Sequence, residues 1–535
     1  MIMPNRLYFG DCLDIMKSLE GETVDLVYLD PPFNSNATYN VLFASPKGQH
    51  AKAQIEAFDD TWHWGEQSEG EYREILKSGA TDISNTLSSI IDFLGRNDLT
   101  AYLTMMVSRL SELYRVLKPT GSLYLHCDPT ASHYLKILMD AIFGPSCYLN
   151  EIVWQRTGAH NDAKRFGKIT DIILFYSKSS TYTFNTQYTD YQPEYIAKRF
   201  TYTEPDGRRF WPNTATSPSP RPTMTYQWKD CPTPRNGWRF ERKTMEKLES
   251  ENRLYYSKTG MVYVKNYLDE AKGRPVQNLW TDIAMSKSGA ERLGYPTQKP
   301  VALLERIILT SSNPGDTVLD PFCGCGTSIH AAEKLDRNWV GIDITHLAIS
   351  LIERRLRDAF PHCKFETLGT PKDLDSAANL AERDKYQFQW WALSLIDAQP
   401  YKDKKKGADG GIDGQIFFDD GKLRKILVSV KGGMNVSVSM IRDLAGTMQS
   451  NKADIGIFIT LAPPTKPMLT EALNSGYYES ELFQGREYRR IQILTINGLL
   501  NGTEKASYPD LSQGGYNFKK AQKESVDISQ PSLDV

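Results

Sequence analysis

Near the amino terminus of the chain, short apolar runs alternate with segments in which apolar residues recur at the spacing of a helix. The run Val24–Leu29 has the length and composition of a buried strand, and residues 122–126 have the same character. Apolar residues recur at helical spacing over residues 100–117 and 131–142. This alternation of strands and helices predicts an α/β fold.

A second series of the same kind occupies residues 300–360. Its pattern predicts helix, strand, helix, strand and helix in turn, at residues 300–309, 317–319, 327–335, 339–342 and 347–360. We expect the two series to form one sheet.

Residues 155–292 separate the two series and show only weak periodicity. They are rich in Tyr, Trp, Arg, Pro and Thr, and between residues 151 and 300 there are 24 Lys and Arg against 16 Asp and Glu. We therefore predict an inserted lobe. Its basic surplus suits a nucleic-acid partner, although a solvated surface explains the same charge and the whole chain carries only -2.

The composition changes again near residue 384. The stretch QFQWWALSLI is followed by GQIFF, KILVSV and IGIFIT, which predict a helix and then several short strands in a separate α/β domain. The polar end of the chain predicts a mobile tail. We therefore expect a first α/β domain in two halves, at residues 1–154 and 293–370, with the lobe at residues 155–292 between them. The second α/β domain is expected at residues 384–500 and the tail at residues 501–535.

Length and composition narrow the class of protein. At 535 residues, the chain is long enough for roughly three to four folding units, and it has no apolar run long enough to cross a bilayer. Seven scattered cysteines and the lack of an export signal predict a cytoplasmic protein. Cys323 and Cys325 have no second Cys or His pair at zinc-ligand spacing, so we expect no structural metal there.

The motif DPFCGCGT, residues 320–327, stands between a predicted strand and a predicted helix. Gly324 and Gly326 allow a tight turn and a close approach to a ligand, at the end of a strand where doubly wound sheets bind nucleosides. Asp343 ends the next strand, where its carboxylate can accept hydrogen bonds from ribose hydroxyls. The alternative is a plain glycine turn followed by a capping carboxylate.

The tetrapeptide Asp30, Pro31, Pro32 and Phe33 follows the strand Val24–Leu29. An exocyclic amine on adenine or cytosine is a poor nucleophile, because its lone pair is delocalised into the ring. The Asp30 carboxylate and the Pro31 carbonyl can each accept one N–H and so localise that lone pair. The prolines stiffen the backbone, and Phe33 offers a face for an extruded base. A rigid turn is the alternative.

Together these motifs resemble the DNA amino-methyltransferase family, in which a D-P-P-[YF] catalytic motif and an F-x-G-x-G cofactor motif share one sheet. The resemblance covers roughly residues 5–365, and the order of motifs is similar to that of the circularly permuted β class. It implies a Rossmann-like sheet, S-adenosylmethionine as methyl donor and duplex DNA as partner. It also implies that Asp320, Phe322 and Thr327 lie in the cofactor site.

The resemblance assigns smaller elements too. Gly10 and Asp11 resemble the family's G-D element beside the cofactor adenine. The segment YPTQKP, with Gln298 and Lys299, resembles the family segment that flanks the methionine portion of S-adenosylmethionine. Without the family, Asp11 is only a helix N-cap and Lys299 only a solvated charge.

The motifs define the methylated base and the recognition sequence less closely than they define the reaction. Asp30 in the first motif position resembles adenine-N6 enzymes, with cytosine N4 as the alternative. The lobe at residues 155–292 resembles a target-recognition domain. No target sequence follows from it.

The C-terminal domain resembles the Mrr-like branch of the PD-(D/E)xK nuclease fold, through GADGGIDG at residues 407–414 and the strand that ends in VSVK. The resemblance implies Mg²⁺ bound by Asp413 and a Lys431 that supports the attacking water. Ser429 stands where Glu or Gln is expected, and Ser is a poor ligand for a hard cation. The chain is then a modification enzyme, a combined restriction and modification protein, or a methyltransferase with a non-cleaving DNA-binding or assembly module. The candidate protein partner is a separate restriction subunit or a second copy of the chain in a homodimer.

Overall fold

The computed structural model describes residues 5–32, 38–44, 50–59, 63–158, 164, 166–285, 291, 298–401, 411–509 and 521–524. The chain divides into two compact units. One contains Met1–Asn185 and Asn278–Val535, and the other contains Thr186–Gln277.

The first part of the larger unit alternates strands and helices. Its strands are β1 (Arg6–Phe9), β2 (Val24–Leu29), β3 (Thr38–Ala44), β4 (His50–Asp59), β5 (Leu117–Cys127), β6 (Tyr148–Gln155) and β7 (Thr170–Ser177). Its helices are α1 (Cys12–Ser18), α2 (Glu66–Lys77), α3 (Thr81–Leu94), α4 (Asp98–Val116) and α5 (Ser132–Phe143).

The smaller unit contains mostly short strands. They are β8 (Tyr188–Thr189), β9 (Tyr202–Thr203), β10 (Arg209–Thr214), β11 (Leu254–Tyr256), β12 (Val262–Tyr267) and β13 (Arg274–Pro275), with helices α6 (Pro193–Arg199) and α7 (Arg242–Ser250). Four of the strands form a sheet in the order β11-β12-β10-β9. A core that includes Trp228, Trp238 and Met245 supports this unit.

The rest of the larger unit begins with a second alternating series. It contains β14 (Leu279–Trp280), β15 (Thr317–Asp320), β16 (Asn338–Asp343) and β17 (Glu366–Leu368), with α8 (Val301–Ser311), α9 (Thr327–Lys334) and α10 (His346–Ala359). The C-terminal part contains β18 (Gln399–Pro400), β19 (Gly414–Asp419), β20 (Leu423–Lys431), β21 (Ile455–Thr460), β22 (Tyr477–Glu479), β23 (Glu487–Arg489) and β24 (Ile491–Thr495). Its helices are α11 (Leu374–Arg383), α12 (Lys385–Ser394), α13 (Val438–Ser450), α14 (Lys466–Asn474) and α15 (Ile496–Leu500).

The two alternating series build one sheet, as expected from their patterns. Among the described residues its order is β14-β6-β7-β5-β2-β15-β16-β1-β17. Strand β7 is antiparallel to both neighbours, and the other neighbouring pairs are parallel. The pairing of β2 with β15 places Leu26 beside Val318 and so joins the two series directly. The α/β architecture is confirmed.

The centre of this sheet is held by apolar burial and by the contacts of a half-buried carboxylate. Strand β2 is buried along its length apart from the half-buried Asp25. The Asp25 carboxylate accepts hydrogen bonds from Lys118 Nζ at 2.7 Å and from the Thr317 amide at 2.9 Å. These contacts connect the start of β15 to β2 and β5, so they fix the register in which the strand ends meet.

The inserted lobe is shorter than the sequence indicates. Its compact unit is Thr186–Gln277, whereas weak periodicity extended the expected lobe over residues 155–292. Residues 170–177 form β7 because the apolar run DIILFYS is buried between β5 and β6. The short strand β14 likewise pairs with β6 in the main sheet.

The C-terminal domain is a five-stranded sheet, ordered β18-β19-β20-β21-β24, with an apolar cluster on each face. Helix α12 lies beside α10: the Gln387 side chain accepts a hydrogen bond from the His346 amide at 3.0 Å. Gln389, on the same helix, donates to Asp413 Oδ1 at 2.9 Å. One helix therefore contacts both α/β domains.

The expected mobile tail is described only in part. Tyr508 packs against the C-terminal core. The Glu524 carboxylate lies 3.1 Å from His330 Nε2 and pairs with the Lys334 ammonium at 3.3 Å. Within the portion of the chain that the structure describes, no helix is long and apolar enough to span a bilayer.

Candidate active site

Four neighbouring parallel strands bring acidic residues to one edge of the main sheet. Asp30 follows β2, Asp320 ends β15, Asp343 ends β16 and Asp11 follows β1. Because these strands are parallel, their carboxyl ends lie at the same edge. Asp30 and the loop that contains Gly324 therefore occupy adjacent positions along one edge, as the proposed chemistry requires.

The loop after β15 turns through two glycines. Gly324 has φ +50° and Gly326 has φ +71°, values that favour glycine over other residues. A Cβ on Gly326 would also lie 2.7 Å from Ile352 Cγ1 of α10. The Gly324 amide donates to Asp343 Oδ2 at 3.0 Å, which ties the loop to the end of β16.

The Asp30 carboxylate has two different environments. Its Oδ2 is paired with the Lys299 ammonium, and both side chains are largely buried. Its Oδ1 is buried and has no hydrogen-bond partner within the described part of the chain. A buried acceptor without a donor is costly, so this oxygen is an open position for an N–H of a ligand.

Asp320 and Asp343 form an acidic pair beside Asp30. Burial raises the pKa of Asp320 to about 7, against hydrogen bonds from Ser328 Oγ and the Phe322 amide that lower it. The charges of Asp30 and Asp343 raise it further. Burial likewise raises the pKa of Asp343 to about 6, although donors from Thr345 and Gly324 oppose the shift. Both carboxyls are therefore harder to ionise than an ordinary aspartate.

Asp11 takes part in local structure as well as in this edge. It is the N-cap of α1, where it accepts from the Leu13 amide at 2.8 Å. Both of its carboxylate oxygens also lie 3.0 Å from the buried Arg109 guanidinium. The capping interpretation of Asp11 therefore describes its contacts, and a role beside the cofactor adenine stays a prediction.

The segment before α8 contacts the residues that follow β2. The Lys299 ammonium pairs with the catalytic candidate Asp30, and its place beside the methionine portion of the cofactor stays a prediction. Gln298 donates to the Glu291 carbonyl at 2.7 Å. The preceding residues 295–297 and Phe33 lie outside the described residues.

The remaining predicted residues line the same edge. Pro31 is buried and Pro32 is half-buried directly after β2. Phe322 packs against the main core, and Thr327 begins α9. The Thr327 hydroxyl accepts from the buried Arg355 at 3.2 Å.

A buried polar chain beside Asp30 was not anticipated. His126 Nε2 lies 3.1 Å from Asp171 and its Nδ1 lies 3.1 Å from the Tyr28 hydroxyl. Because the carboxylate only accepts, His126 donates to Asp171 through Nε2, and its Nδ1 shares the second hydrogen bond with the Tyr28 hydroxyl. Burial raises the pKa of Asp171, but His126 and Arg156 lower it more, so it stays anionic. The only signal was a polar residue in the apolar run LYLHC.

The nuclease-like residues of the C-terminal domain also come together. Asp413 Oδ2 lies 2.6 Å from the Val430 amide, 3.4 Å from Ser429 Oγ and 3.8 Å from Lys431 Nζ. Residues 407–410 of the motif lie outside the described residues. Over the described ranges, no group of three or more His, Cys, Asp and Glu side chains could hold a metal ion.

Comparison with known families defines the class of protein. Residues 24–354 match the family model of DNA methylases of the N6/N4 type, and residues 380–490 match a restriction endonuclease model of the Mrr catalytic type. The first match spans more than half of the chain, which therefore belongs to the DNA methylase family.

Individual relatives agree with this assignment. The chain is 28% identical over 361 residues to the Type II methyltransferase M.EcaI of Enterobacter cloacae, a match that covers 66% of this chain and 70% of the relative. It is 28% identical over 355 residues to the Mod subunit of the Type III enzyme StyLTI of Salmonella typhimurium, covering 62% of this chain and 50% of that subunit. It is 26% identical over 378 residues to the DNA adenine methyltransferase YhdJ of Escherichia coli, a match that covers 70% of this chain and 90% of that relative.

Solved structures show more distant likeness. A putative DNA modification methylase of Thermus thermophilus, complexed with S-adenosyl-L-methionine, is similar with a TM-score of 0.34 and 16% identity, covering 69% of this chain and 99% of that one. The cytosine-N4-specific PvuII DNA methyltransferase is similar with a TM-score of 0.33 and 13% identity, and the match covers 65% of this chain and 85% of that one.

Proposed function

We propose that this DNA methyltransferase transfers a methyl group from S-adenosylmethionine to N6 of adenine in duplex DNA. One observation carries the proposal: among the described residues nothing donates to the buried Oδ1 of Asp30, while Lys299 holds its other oxygen. A planar amine that enters this position finds a strong acceptor for one N–H. The Pro31 carbonyl follows directly in the chain and supplies the acceptor for the second N–H.

The side chains of this site act on the nucleophile. Asp30 and Pro31 draw the two N–H bonds out of the ring plane, so the nitrogen lone pair points towards the methyl donor. Lys299 holds the Asp30 carboxylate in the orientation that this contact needs. The amine would become cationic as it takes the methyl group, with the C–S bond of the sulfonium breaking to leave a neutral thioether, and Asp30 Oδ1 is placed to accept the proton that the amine then loses.

The acidic edge fits the methyl donor. S-adenosylmethionine supplies an electrophilic methyl group on a positively charged sulfonium when it is bound. Asp320 and Asp343 are buried carboxyls whose pKa values are raised chiefly by burial, and a cation bound beside them would favour their ionised forms. Gly324 and Gly326 allow the backbone to approach the ligand, and Asp343 is the candidate acceptor for the ribose hydroxyls.

The choice of adenine rests on the motif. Asp30 in the first position resembles adenine-N6 enzymes, and one relative is named a DNA adenine methyltransferase. Cytosine N4 has the same exocyclic amine and is the alternative outcome of the experiment below. Extrusion of the base from the duplex is required in either case, because the amine is otherwise inside the stack.

We assign target recognition to the compact unit Thr186–Gln277. Its surface carries exposed tyrosines and arginines that lie on aromatic rings, which are the groups that contact phosphates and bases. The exposed tyrosines are Tyr188, Tyr195, Tyr202 and Tyr256. The similarity to a Type III Mod subunit supports a restriction-modification context, with a separate restriction subunit or a second copy of this chain as partner.

The test compares Asp30→Asn with the wild type and with Asp92→Asn, an exposed carboxylate on α3. DNA from cells that express each form is digested to nucleosides and analysed by mass spectrometry. We expect N6-methyladenine with the wild type and Asp92→Asn, and a loss of at least roughly 100-fold with Asp30→Asn. Cofactor affinity should change less than about twofold. Full methylation by Asp30→Asn contradicts the assigned role, and N4-methylcytosine in place of N6-methyladenine would make cytosine the target base.

A further inference from the structure

The last described segment of the chain lies against the methyltransferase domain. Residues 521–524 contact the end of α10 through their backbone: the Glu524 amide donates to the Ala359 carbonyl at 3.2 Å. The Ala521 amide donates to Asp358 Oδ2 at 3.4 Å. This segment, which we call the C-terminal strap, is therefore attached at both of its ends.

The Glu524 carboxylate of the strap contacts α9 through both of its oxygens. Oε1 lies 3.1 Å from His330 Nε2, and Oε2 lies 3.3 Å from Lys334 Nζ. Burial lowers the pKa of His330 to about 3, so the ring is neutral near pH 7 and donates its Nε2–H to the carboxylate. Lys334 also pairs with Glu305 of α8 at 3.0 Å. The strap therefore adds a charge to a group of ion pairs that joins α8 to α9.

The strap forms one wall of a cavity beside the glycine loop, residues 320–327. This cavity of about 270 Å³ is also lined by residues of α8 and α9 and by Arg355 of α10. The Arg355 side chain is buried, and its Nη1 donates to the Cys325 carbonyl at 3.1 Å and to Thr327 Oγ1 at 3.2 Å. These two acceptors lie on either side of Gly326. Arg355 therefore connects the cavity beside the strap to the loop assigned to the methyl donor.

Charge also connects the strap to Arg355. Burial lowers the pKa of this guanidinium, and the carboxylates of Glu291 and Glu524 are among the groups that oppose the shift. A buried cation that loses a nearby negative charge is destabilised, because water does not replace the lost interaction. Displacement of the strap would remove the charge of Glu524 and one wall of the cavity. Both changes act on the side chain that holds the glycine loop.

We infer that the surface formed by α9 and the end of α10 is a docking site for the chain's own C-terminal strap, and that docking strengthens binding of the methyl donor by supporting the glycine loop. The docking itself does not depend on the methylation proposal. Its effect on the methyl donor rests on that proposal, through the assignment of the glycine loop to S-adenosylmethionine. The strap belongs to the tail that the sequence predicts to be mobile, so a measurement of its mobility distinguishes the two interpretations.

The first test measures docking in the full chain by hydrogen exchange and mass spectrometry. Protection of the amides at residues 521–524, relative to an unstructured peptide of the same sequence, is compared for the wild type, Glu524→Gln and Lys523→Gln, an exposed side chain of the strap. We expect protection in the wild type and in Lys523→Gln, and a loss of roughly fivefold in Glu524→Gln. A wild type without protection would overturn the inference. So would protection that is lost on dilution, because the strap would then come from a second copy.

The second test measures the effect on the methyl donor by isothermal titration calorimetry with S-adenosylmethionine. The wild type and Lys523→Gln should bind equally, and a chain that ends at residue 520 should bind at least roughly fivefold more weakly. Glu524→Gln should show a smaller loss in the same direction, which decides the question if the shortened chain does not fold. Equal affinity in the wild type, Glu524→Gln and the folded shortened chain would refute the effect of the strap. A wild type that does not bind S-adenosylmethionine would instead contradict the proposed function.

Discussion

Binding of the methyl donor should depend on pH through Asp320. This side chain is 3% exposed, and burial together with the charges of Asp30 and Asp343 raises its pKa to about 7. A bound sulfonium compensates that negative charge and lowers the pKa. Because the carboxylate ionises as the pH rises, affinity for S-adenosylmethionine should rise with pH across neutrality.

The size of the effect follows from the shift. A pKa of about 7 against the ordinary 3.8 is about three units, or about 4 kcal/mol at 1.36 kcal/mol per unit. If the bound cation lowers the pKa of Asp320 to about 5 or less, affinity follows the ionised fraction of the free protein. That fraction rises from about one tenth at pH 6 to about nine tenths at pH 8, so we expect about tenfold tighter binding.

Isothermal titration calorimetry over this pH range checks the prediction. S-adenosylhomocysteine has a neutral sulfur and should show a flatter profile, and Asp320→Asn should leave only the smaller pH dependence of Asp343, whose pKa is about 6. The same shift also costs stability in the free protein as the pH rises from about 4 to about 7, since the unfolded carboxyl ionises earlier. Equal slopes for the two ligands, or an unchanged slope in Asp320→Asn, would refute the reasoning.

Three further predictions concern single side chains. Gly326→Ala combines a strained positive φ with a contact of 2.7 Å to α10, so it should lower the free energy of unfolding in urea by roughly 1–3 kcal/mol, and an unchanged midpoint would contradict this. Lys299→Met removes the cation that holds Asp30, so kcat should fall roughly tenfold or more while the cofactor Kd stays within about twofold; a loss confined to Kd would show a cofactor-binding role instead. His126→Phe leaves the buried Asp171 without its main donor and should cost roughly 3–5 kcal/mol in thermal unfolding, more than His126→Gln, and similar losses in both variants would count against it.

The acidic edge could be predicted because its residues follow apolar strands closely in the sequence. Asp30 and Asp343 each come directly at the end of a buried run, and Gly324 stands between a strand and a helix. Parallel strands bring such ends together whatever their separation along the chain. The meeting of these strand ends at one edge therefore followed from local patterns and one general rule, whereas the direct pairing of β2 with β15 came from the structure.

Contacts made by side chains across the sheet could not be predicted in this way. The ion pair of Lys299 with Asp30 joins positions 269 residues apart, and that of His126 with Asp171 joins two strands whose order in the sheet was unknown. Apolar periodicity reports which face of an element is buried and carries no information on polar partners. The same limit applied to β7, whose apolar run was assigned to the lobe although it lies in the main sheet.

Helix α12 connects the two α/β domains through side-chain hydrogen bonds as well as through the chain. Gln387 accepts a hydrogen bond from the first residue of α10, close to Asp343 in the chain, and two residues later Gln389 donates to Asp413. A chain cut before this helix would lose the hydrogen bond between Gln387 and the start of α10, so removal of the C-terminal domain would also alter the methyltransferase half.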